Sequence, residues 1–340
     1  MSDVALTSST SPLRRLLARP TTGALVAALA VLVFFTVQTD TFMTASGAGV
    51  WLESASRFGI MAVAVALLMI GGEFDLSAGV MTGFTALWVG ICTTQYGLNV
   101  WAAVLLSLVV ALAVGALNGY LVMRTGLPSF IITLGTLFVV QGVDLAVTKL
   151  LTGEVAIQGM AKVPFYDSVQ PIFGGSVEIA GGTFYVSILW WVAFTALASW
   201  VLLRTRAGNW IFAVGGDLDA ARAVGVPILK TKIGLFMLTA GAGWLVGMIS
   251  LFRTSTVQAN TGVGQEFIYI ICAVVGGCLM TGGYGSAFGA SLGALIYGMT
   301  FMGINAAQWD NNWLRTFLGA MLLGAVLVNL WVRKQAEATR

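Results

Sequence analysis

Residues 71–79 read Gly-Gly-Glu-Phe-Asp-Leu-Ser-Ala-Gly. They decide the fold, because they set two carboxylates between apolar runs at 52–70 and 76–95, each long enough to cross a hydrocarbon core about 30 Å thick. An ionised carboxylate near a bilayer centre costs about 2.5–3.5 kcal/mol on insertion scales. Glu73 and Asp75 therefore require a protein-lined cavity, a partner or an interface. Gly71 and Gly72 break the preceding run, Asp75 or Ser77 can cap the next, and Gly79 opens it with no side chain in the way.

Working outward, the chain has 340 residues, 58% of them hydrophobic and 9% charged, with a mean hydropathy of +0.91. Such a chain cannot cover a water-facing surface with polar groups. It reads as an all-α polytopic membrane protein with about ten transmembrane helices and broken or re-entrant segments. The spans fall near 21–38, 52–70, 76–95, 100–122, 128–147, 186–203, 233–252, 266–280, 286–304 and 313–331. When these alternate across a membrane, Arg14, Arg15, Arg19, Arg124, Arg204, Arg206, Arg222, Lys230, Lys232, Arg333, Lys334 and Arg340 collect on one side. That excess predicts both termini in the cytoplasm, and it makes the net charge of +3 an orientation signal. The expected organisation is a cytoplasmic tail over 1–20, a membrane domain over 21–332 and a second tail over 333–340.

Two segments outside the spans are long. Residues 148–185, on the outer face, are rich in Gly with scattered Val, Ile and Phe, which suits a small folded hairpin. Residues 204–232, on the cytoplasmic face, include Gly216-Asp217-Leu218-Asp219-Ala220-Ala221-Arg222-Ala223-Val224-Gly225-Val226-Pro227. Asp217 or Asp219 can cap a short helix that Gly225 stops and Pro227 seals. Such a helix is either an ordered connector or a docking element for a cytoplasmic partner; sequence physics alone leaves both open.

Several stretches resemble the ribose-type sugar ABC importer permeases. Gly215, Gly216, Ala220, Ala221, Arg222 and Gly225 match that family's Gly-Gly-x-x-x-Ala-Ala-Arg-x-x-Gly coupling loop. Asp75, Leu76, Ser77 and Gly79 match its Gly-Gly-Ile-Asp-Leu-Ser-Val-Gly, where Glu73-Phe74 replaces a single Ile. Pro128, Phe130, Ile131, Thr133, Leu134, Gly135 and Thr136 match its Pro-x-Phe-Ile-x-Thr-Leu-Gly-Thr. Gly276, Gly277, Gly282, Gly283, Gly285, Ser286 and Gly289 match its late glycine run. The resemblance implies the permease subunit of an ATP-driven, binding-protein-dependent importer in the bacterial inner membrane, carrying a monosaccharide or related polyol by alternating access. It implies three partners: a cytoplasmic ATPase that binds ATP and Mg, an extracytoplasmic sugar-binding protein, and a second permease subunit, with a homodimer expected. No cofactor is expected in this chain.

On that reading Gly216, Asp217, Asp219, Ala221, Arg222 and Gly225 carry the coupling. Glu73, Asp75, Ser77, Asn118, Thr133 and Thr136 are substrate-path candidates, and Gly71, Gly72, Gly79, Gly282, Gly283, Gly285 and Gly289 are structural glycines. A broken span presents its helix terminus to such a path, while Asp75 as a simple buried cap is the plainer account and compatible with it. Glu73 is open to pairing with an arginine of this or a neighbouring subunit, or to a place at the cytoplasmic rim. For the polar residues within spans, including Gln141, Asp144, Ser250 and Asn305, bonding across helices is the plainer role. The Gly282–Gly289 turn echoes the first one, which suggests an internal repeat offset by roughly 210 residues.

The chain has no histidine and three cysteines, with no paired metal spacing and no phosphate-binding Gly-x-x-x-x-Gly-Lys-[Ser/Thr] loop. A transport subunit without its own ATPase motif is the expectation. Branched-chain amino-acid permeases are the alternative for substrate, and an ion-coupled carrier, which would need a larger intramembrane charge network, is the alternative for mechanism.

Overall fold

The computed structural model describes the backbone of residues 20–338 and the side chains of 22–327. The expected tail with Arg14, Arg15 and Arg19 lies outside the described residues, as do the side chains of Arg333, Lys334 and Arg340. Among the described residues there are thirteen α-helices: α1 Pro20–Gln38, α2 Ala45–Ile70, α3 Ala78–Thr94, α4 Val100–Thr125, α5 Ser129–Thr152, α6 Tyr166–Phe173, α7 Ser187–Arg204, α8 Arg206–Gly216, α9 Leu218–Ala223, α10 Ile228–Thr254, α11 Gln265–Val275, α12 Ala287–Ala306 and α13 Asn312–Ala338. Seven of them, namely α2, α3, α4, α5, α7, α10 and α12, are long and apolar enough to span a membrane; Thr22–Gln38, Gln265–Val275 and Asn312–Leu327 are shorter apolar helices. Each of the ten expected spans thus coincides with a helix, seven of which meet the length and composition of a membrane crossing by themselves. The run expected over 266–280 stops at Val275, where Gly276 and Gly277 end the helix. The tail expected from 333 is helical backbone as far as Ala338.

Local chemistry sets the boundaries. Thr44 caps α2 by accepting the Gly47 N–H, Asn99 caps α4 by accepting that of Trp101, and Ser286 caps α12 by accepting that of Gly289, each satisfying a donor the helix leaves open. Gly126 and Gly153 close α4 and α5 at φ +68° and +76°, where a side chain would be strained.

The expected outer hairpin is present. Strand β2, Ser176–Ile179, pairs antiparallel with β3, Gly182–Tyr185, through the two-residue turn Ala180-Gly181, both at positive φ, as tight hairpins require. Numbering in chain order, β1 is Ala156–Ile157 and pairs with β4, Val257–Gln258. The β1–β4 pair lies at the opposite end of α10 from α9, since α10 has 27 residues and so spans about 40 Å.

The long helix α2 is the centre of the molecule, buried almost without interruption from Ala55 to Ile70. In lipid, helices associate by close packing because no hydrophobic drive separates them from acyl chains. The small-residue pairs do this here: Gly115 and Gly119 of α4 lie against the backbone of α10, and Gly243 and Gly247 of α10 against α3. Gly289 and Gly293 of α12 meet α11 and the turn that ends it, at Gly276 and Cys272. At the hairpin end, buried Glu53 of α2 meets Arg57 Nε at 2.7 Å and Arg253 Nε of α10 at 3.4 Å. The Arg253 guanidinium sits 5.4 Å from the centre of the Tyr185 ring, tying α2, α10 and β3 together.

Candidate functional site

The first helix break is built by backbone hydrogen bonds. The Gly71 N–H donates to Leu67 O at 3.0 Å, Gly72 to Met69 O at 2.9 Å and Glu73 to Leu68 O at 3.1 Å. Gly72 takes φ +82°, so this is a left-handed glycine stop. The chain then crosses to α3 with its polar groups individually satisfied. Phe74 N–H donates to Ser129 Oγ at 3.0 Å and Leu76 N–H to Thr133 Oγ1 at 3.0 Å. Asp75 Oδ1 accepts from the Ser77 N–H at 2.8 Å and the Ser77 hydroxyl at 2.5 Å. Asn118 Nδ2 donates to Ser77 Oγ at 3.1 Å, and Thr136 Oγ1 donates to Asn118 Oδ1 at 2.6 Å.

Five of the six path candidates, Asp75, Ser77, Asn118, Thr133 and Thr136, therefore belong to one network joining the break to α4 and α5. Of the two proposed caps, Ser77 holds the cap position without making a side-chain cap bond, while Asp75 closes a turn onto Ser77 immediately before α3. The side chains satisfy one another, so the bonding across helices expected of buried Asn and Thr is what the geometry displays. Glu73 departs from the expectation. Its partner within the chain is a lysine, not an arginine: it is buried and forms an ion pair with Lys232 Nζ, on the second turn of α10. Sequence reasoning missed Lys232 as a partner because 159 residues separate the two; the available signal was that a buried carboxylate demands a cation in a chain with few of them.

The second break repeats the first. Gly276 N–H donates to Cys272 O at 2.9 Å, Gly277 to Val274 O at 2.9 Å and Cys278 to Ala273 O at 3.0 Å, with Gly277 at φ +92°. The match to Gly71, Gly72 and Glu73 is residue for residue. The true counterpart of the first break is thus Gly276-Gly277, while Gly282 and Gly283, at φ +82° and +71°, belong to an extra stretch before the Ser286 cap.

The end of α8 sits between the first break and the glycine turn that follows the second. Gly215 lies against the Ile70 carbonyl and the backbone of Gly283, a Cβ on Gly282 would meet Gly215 and Gly72, and one on Gly283 would meet Gly216. Gly283 N–H also donates to Ile70 O at 2.9 Å. Gly285 packs on Cys278 and Ile70, and Gly79 on Gly262 and Glu266. From this junction the chain passes directly into α9. Asp217 caps it, accepting from the Asp219 and Ala220 N–H groups at 3.0 and 2.9 Å. Asp219 lies on the helix and pairs with Arg222 at 3.0 Å, both well exposed. Ala221 is buried with Val214 and Ile228, and Gly225 turns the chain at φ +77°. Five of the six coupling candidates are exposed and Ala221 is buried, on one element whose root is wedged between the first break and the glycine turn after the second.

Comparison with known proteins now bears on this arrangement. Residues 47–326 match the family described as branched-chain amino acid transport system / permease component. The chain belongs to this family. Among curated relatives, a fructose import permease of Rhizobium meliloti is 29% identical over 312 residues, covering 92% of this chain and 85% of that protein. An inner membrane ABC transporter permease of Escherichia coli K12 is 30% identical over 296 residues, covering 84% and 86%. A ribose import permease of the same strain is 28% identical over 306 residues, covering 90% and 92%. The permease-family membership and the membrane location expected from the sequence stand on these matches and on the seven apolar helices.

Proposed function

We propose that this chain is the transmembrane subunit of an ATP-driven, binding-protein-dependent importer that carries a monosaccharide or related polyol across the bacterial inner membrane. The observation that carries the reading is the glycine junction: the exposed α9 element is continuous with Gly215 and Gly216, which touch by backbone the first helix break and the glycine turn that follows the second. A cytoplasmic ATPase, holding ATP and Mg, docks on α9 through Arg222 and its neighbours. Its closure moves α9, and the junction transmits that motion to the breaks without passing through a side-chain rotamer. An extracytoplasmic sugar-binding protein docks at the hairpin end, and two copies of the chain frame the path. Ten spans, with the three shorter apolar helices completing the crossings and both termini cytoplasmic, suit this arrangement, with the domain extending over 21–332. The sugar class is supported by the names of the relatives.

The test is Arg222→Glu. The side chain is exposed and pairs only within its own helix, so expression and melting should be unchanged while ATP-dependent uptake is lost. Unaffected uptake in that variant overturns the coupling assignment. The family's description favours a second reading, a branched-chain amino acid cargo. Uptake of leucine but of no pentose or hexose by the reconstituted assembly would establish that reading instead.

A further inference from the structure

The geometry points to a small binding site for one ring of a polyhydroxylated solute at the β1–β4 end of the molecule, between α3 and α5, with Asp144 and Thr148 as its polar contacts. This rests on the sugar-importer reading and adds to it a location outside the network around Asp75.

A cavity of ≈ 220 Å³ lies there, lined by Trp88, Cys92, Tyr96, Asp144 and Thr148 among apolar neighbours. Its volume is below the roughly 300–1,000 Å³ of pockets for drug-sized ligands, so it suits a single sugar ring. Asp144 is 5% exposed and makes no hydrogen bond or ion pair among the described residues. Thr148, one turn further along α5, is fully buried and its Oγ1 has no partner. Two unpartnered polar groups on one face of a membrane helix are costly unless something else satisfies them. Five other buried side-chain atoms among the described residues also lack a partner, Thr39 Oγ1, Trp51 Nε1, Trp191 Nε1, Glu266 Oε2 and Thr300 Oγ1, but none of them lines this cavity, and it is the meeting of two such groups with a cavity that marks a place for a ligand.

The chemistry selects the ligand. A carboxylate and a threonine hydroxyl four residues apart accept hydrogen bonds from neighbouring hydroxyls of a polyol, and the indole of Trp88 offers an apolar face to the C–H side of the ring. A bound divalent cation needs six or more oxygens, and no group of three metal-binding side chains occurs among the described residues. The site sits beneath the chain that follows α5, where Ile157 packs on Gly90 and Thr93 Oγ1 bonds to Met160 Sδ at 3.4 Å. A solute arriving from the hairpin end would meet this pocket before the breaks.

Cys92 supplies the reporter, since it lines the cavity and is half-exposed while Cys272 and Cys278 are buried. The purified chain in nanodiscs is treated with methyl methanethiosulfonate, with D-ribose, D-xylose, D-fructose or L-arabinose present, and modification is followed by intact mass. A sugar at ten times its dissociation constant should slow modification about elevenfold. Asp144→Asn and Thr148→Val should each retain the unprotected rate and lose the protection. No protection by any of these sugars overturns the proposal, as does equal protection by leucine or by sodium or potassium chloride. Sugar uptake by the reconstituted assembly is measured in parallel: uptake that persists while protection is absent removes this site and leaves the permease reading intact, whereas absence of both removes the two together.

Discussion

The Glu73–Lys232 pair makes a quantitative claim about how the first break is fastened. Both side chains are about nine-tenths buried, at 11% and 9% exposure, so neither charge is screened by water in the way surface pairs are. Removing one partner of a buried pair leaves the other uncompensated and costs about 3–5 kcal/mol. Glu73→Leu and Lys232→Met should each lose that much, which in a chain of this size lowers the melting temperature on the order of 5–10 °C. The double variant Glu73→Leu/Lys232→Met removes both charges and keeps the volume, and buried pairs replaced in this way are often neutral or more stable by about 1–4 kcal/mol. The assay is a thermal melt of all four proteins in nanodiscs, monitored by fluorescence-detected size exclusion, read as a double-mutant cycle. Strong non-additivity, with the double variant near wild type, is the expected result. If the two single losses simply add in the double variant, or each is under about 1 kcal/mol, the pair does not fasten the break and the reasoning fails. Uptake by the double variant then separates fastening from transport: a stable but inactive protein would mean that the charges themselves act during the cycle.

Two further outcomes follow from the geometry. Gly215→Ala would drive a methyl into the Ile70 carbonyl and the Gly283 backbone, so it should cost about 1–3 kcal/mol and abolish ATP-dependent uptake, whereas Gly234→Ala, at a helical position with open space, should be neutral or slightly stabilising and retain uptake in the same proteoliposome assay. Asn118→Ala removes the partner of Ser77 and Thr136 at once, and should lower stability by about 1–3 kcal/mol in the nanodisc melt, with Thr136→Val giving a smaller loss.

The sequence made the breaks legible where chemistry and position coincide. Gly71-Gly72 followed by Asp75 and Ser77 reads as a helix stop and a new start, and Asn118, Thr133 and Thr136 stand out as polar residues in apolar surroundings, where they must bond to something. What could not be read is what meets across space. The Lys232 ammonium was counted as an orienting charge because its partner lies on another segment. The second break was assigned to Gly282–Gly289 because four extra residues between Gly277 and Ser286 shift the register of the repeat, and only the matching hydrogen bonds to Cys272, Val274 and Ala273 identify Gly276-Gly277. Asp144 looked like one more residue bonding across helices, since nothing in a linear chain shows that a polar group lacks a partner.

The two breaks and the α8–α9 root also bear on why glycine recurs at this place. Contacts between side chains absorb small displacements by changing rotamer, but a contact between backbones cannot. Gly215 against Ile70 O, and Gly282 against both Gly72 and Gly215, are contacts of the second kind. On the proposed coupling, a displacement of α9 bears directly on the end of α2 and on the glycine turn that follows α11, provided the helices beyond can move as units. That condition is met differently on the two sides. The turn after α2 is bonded to α5 through Ser129 and Thr133 and to α10 through Lys232, while the turn after α11 leads through Gly282, Gly283 and Gly285 to the Ser286 cap, with glycines at three of four positions. The two turns are thus held by different means, the first by side chains of α5 and α10 and the second by backbone bonds, from Gly283 N–H to Ile70 O and from Leu279 and Gly282 within the turn itself.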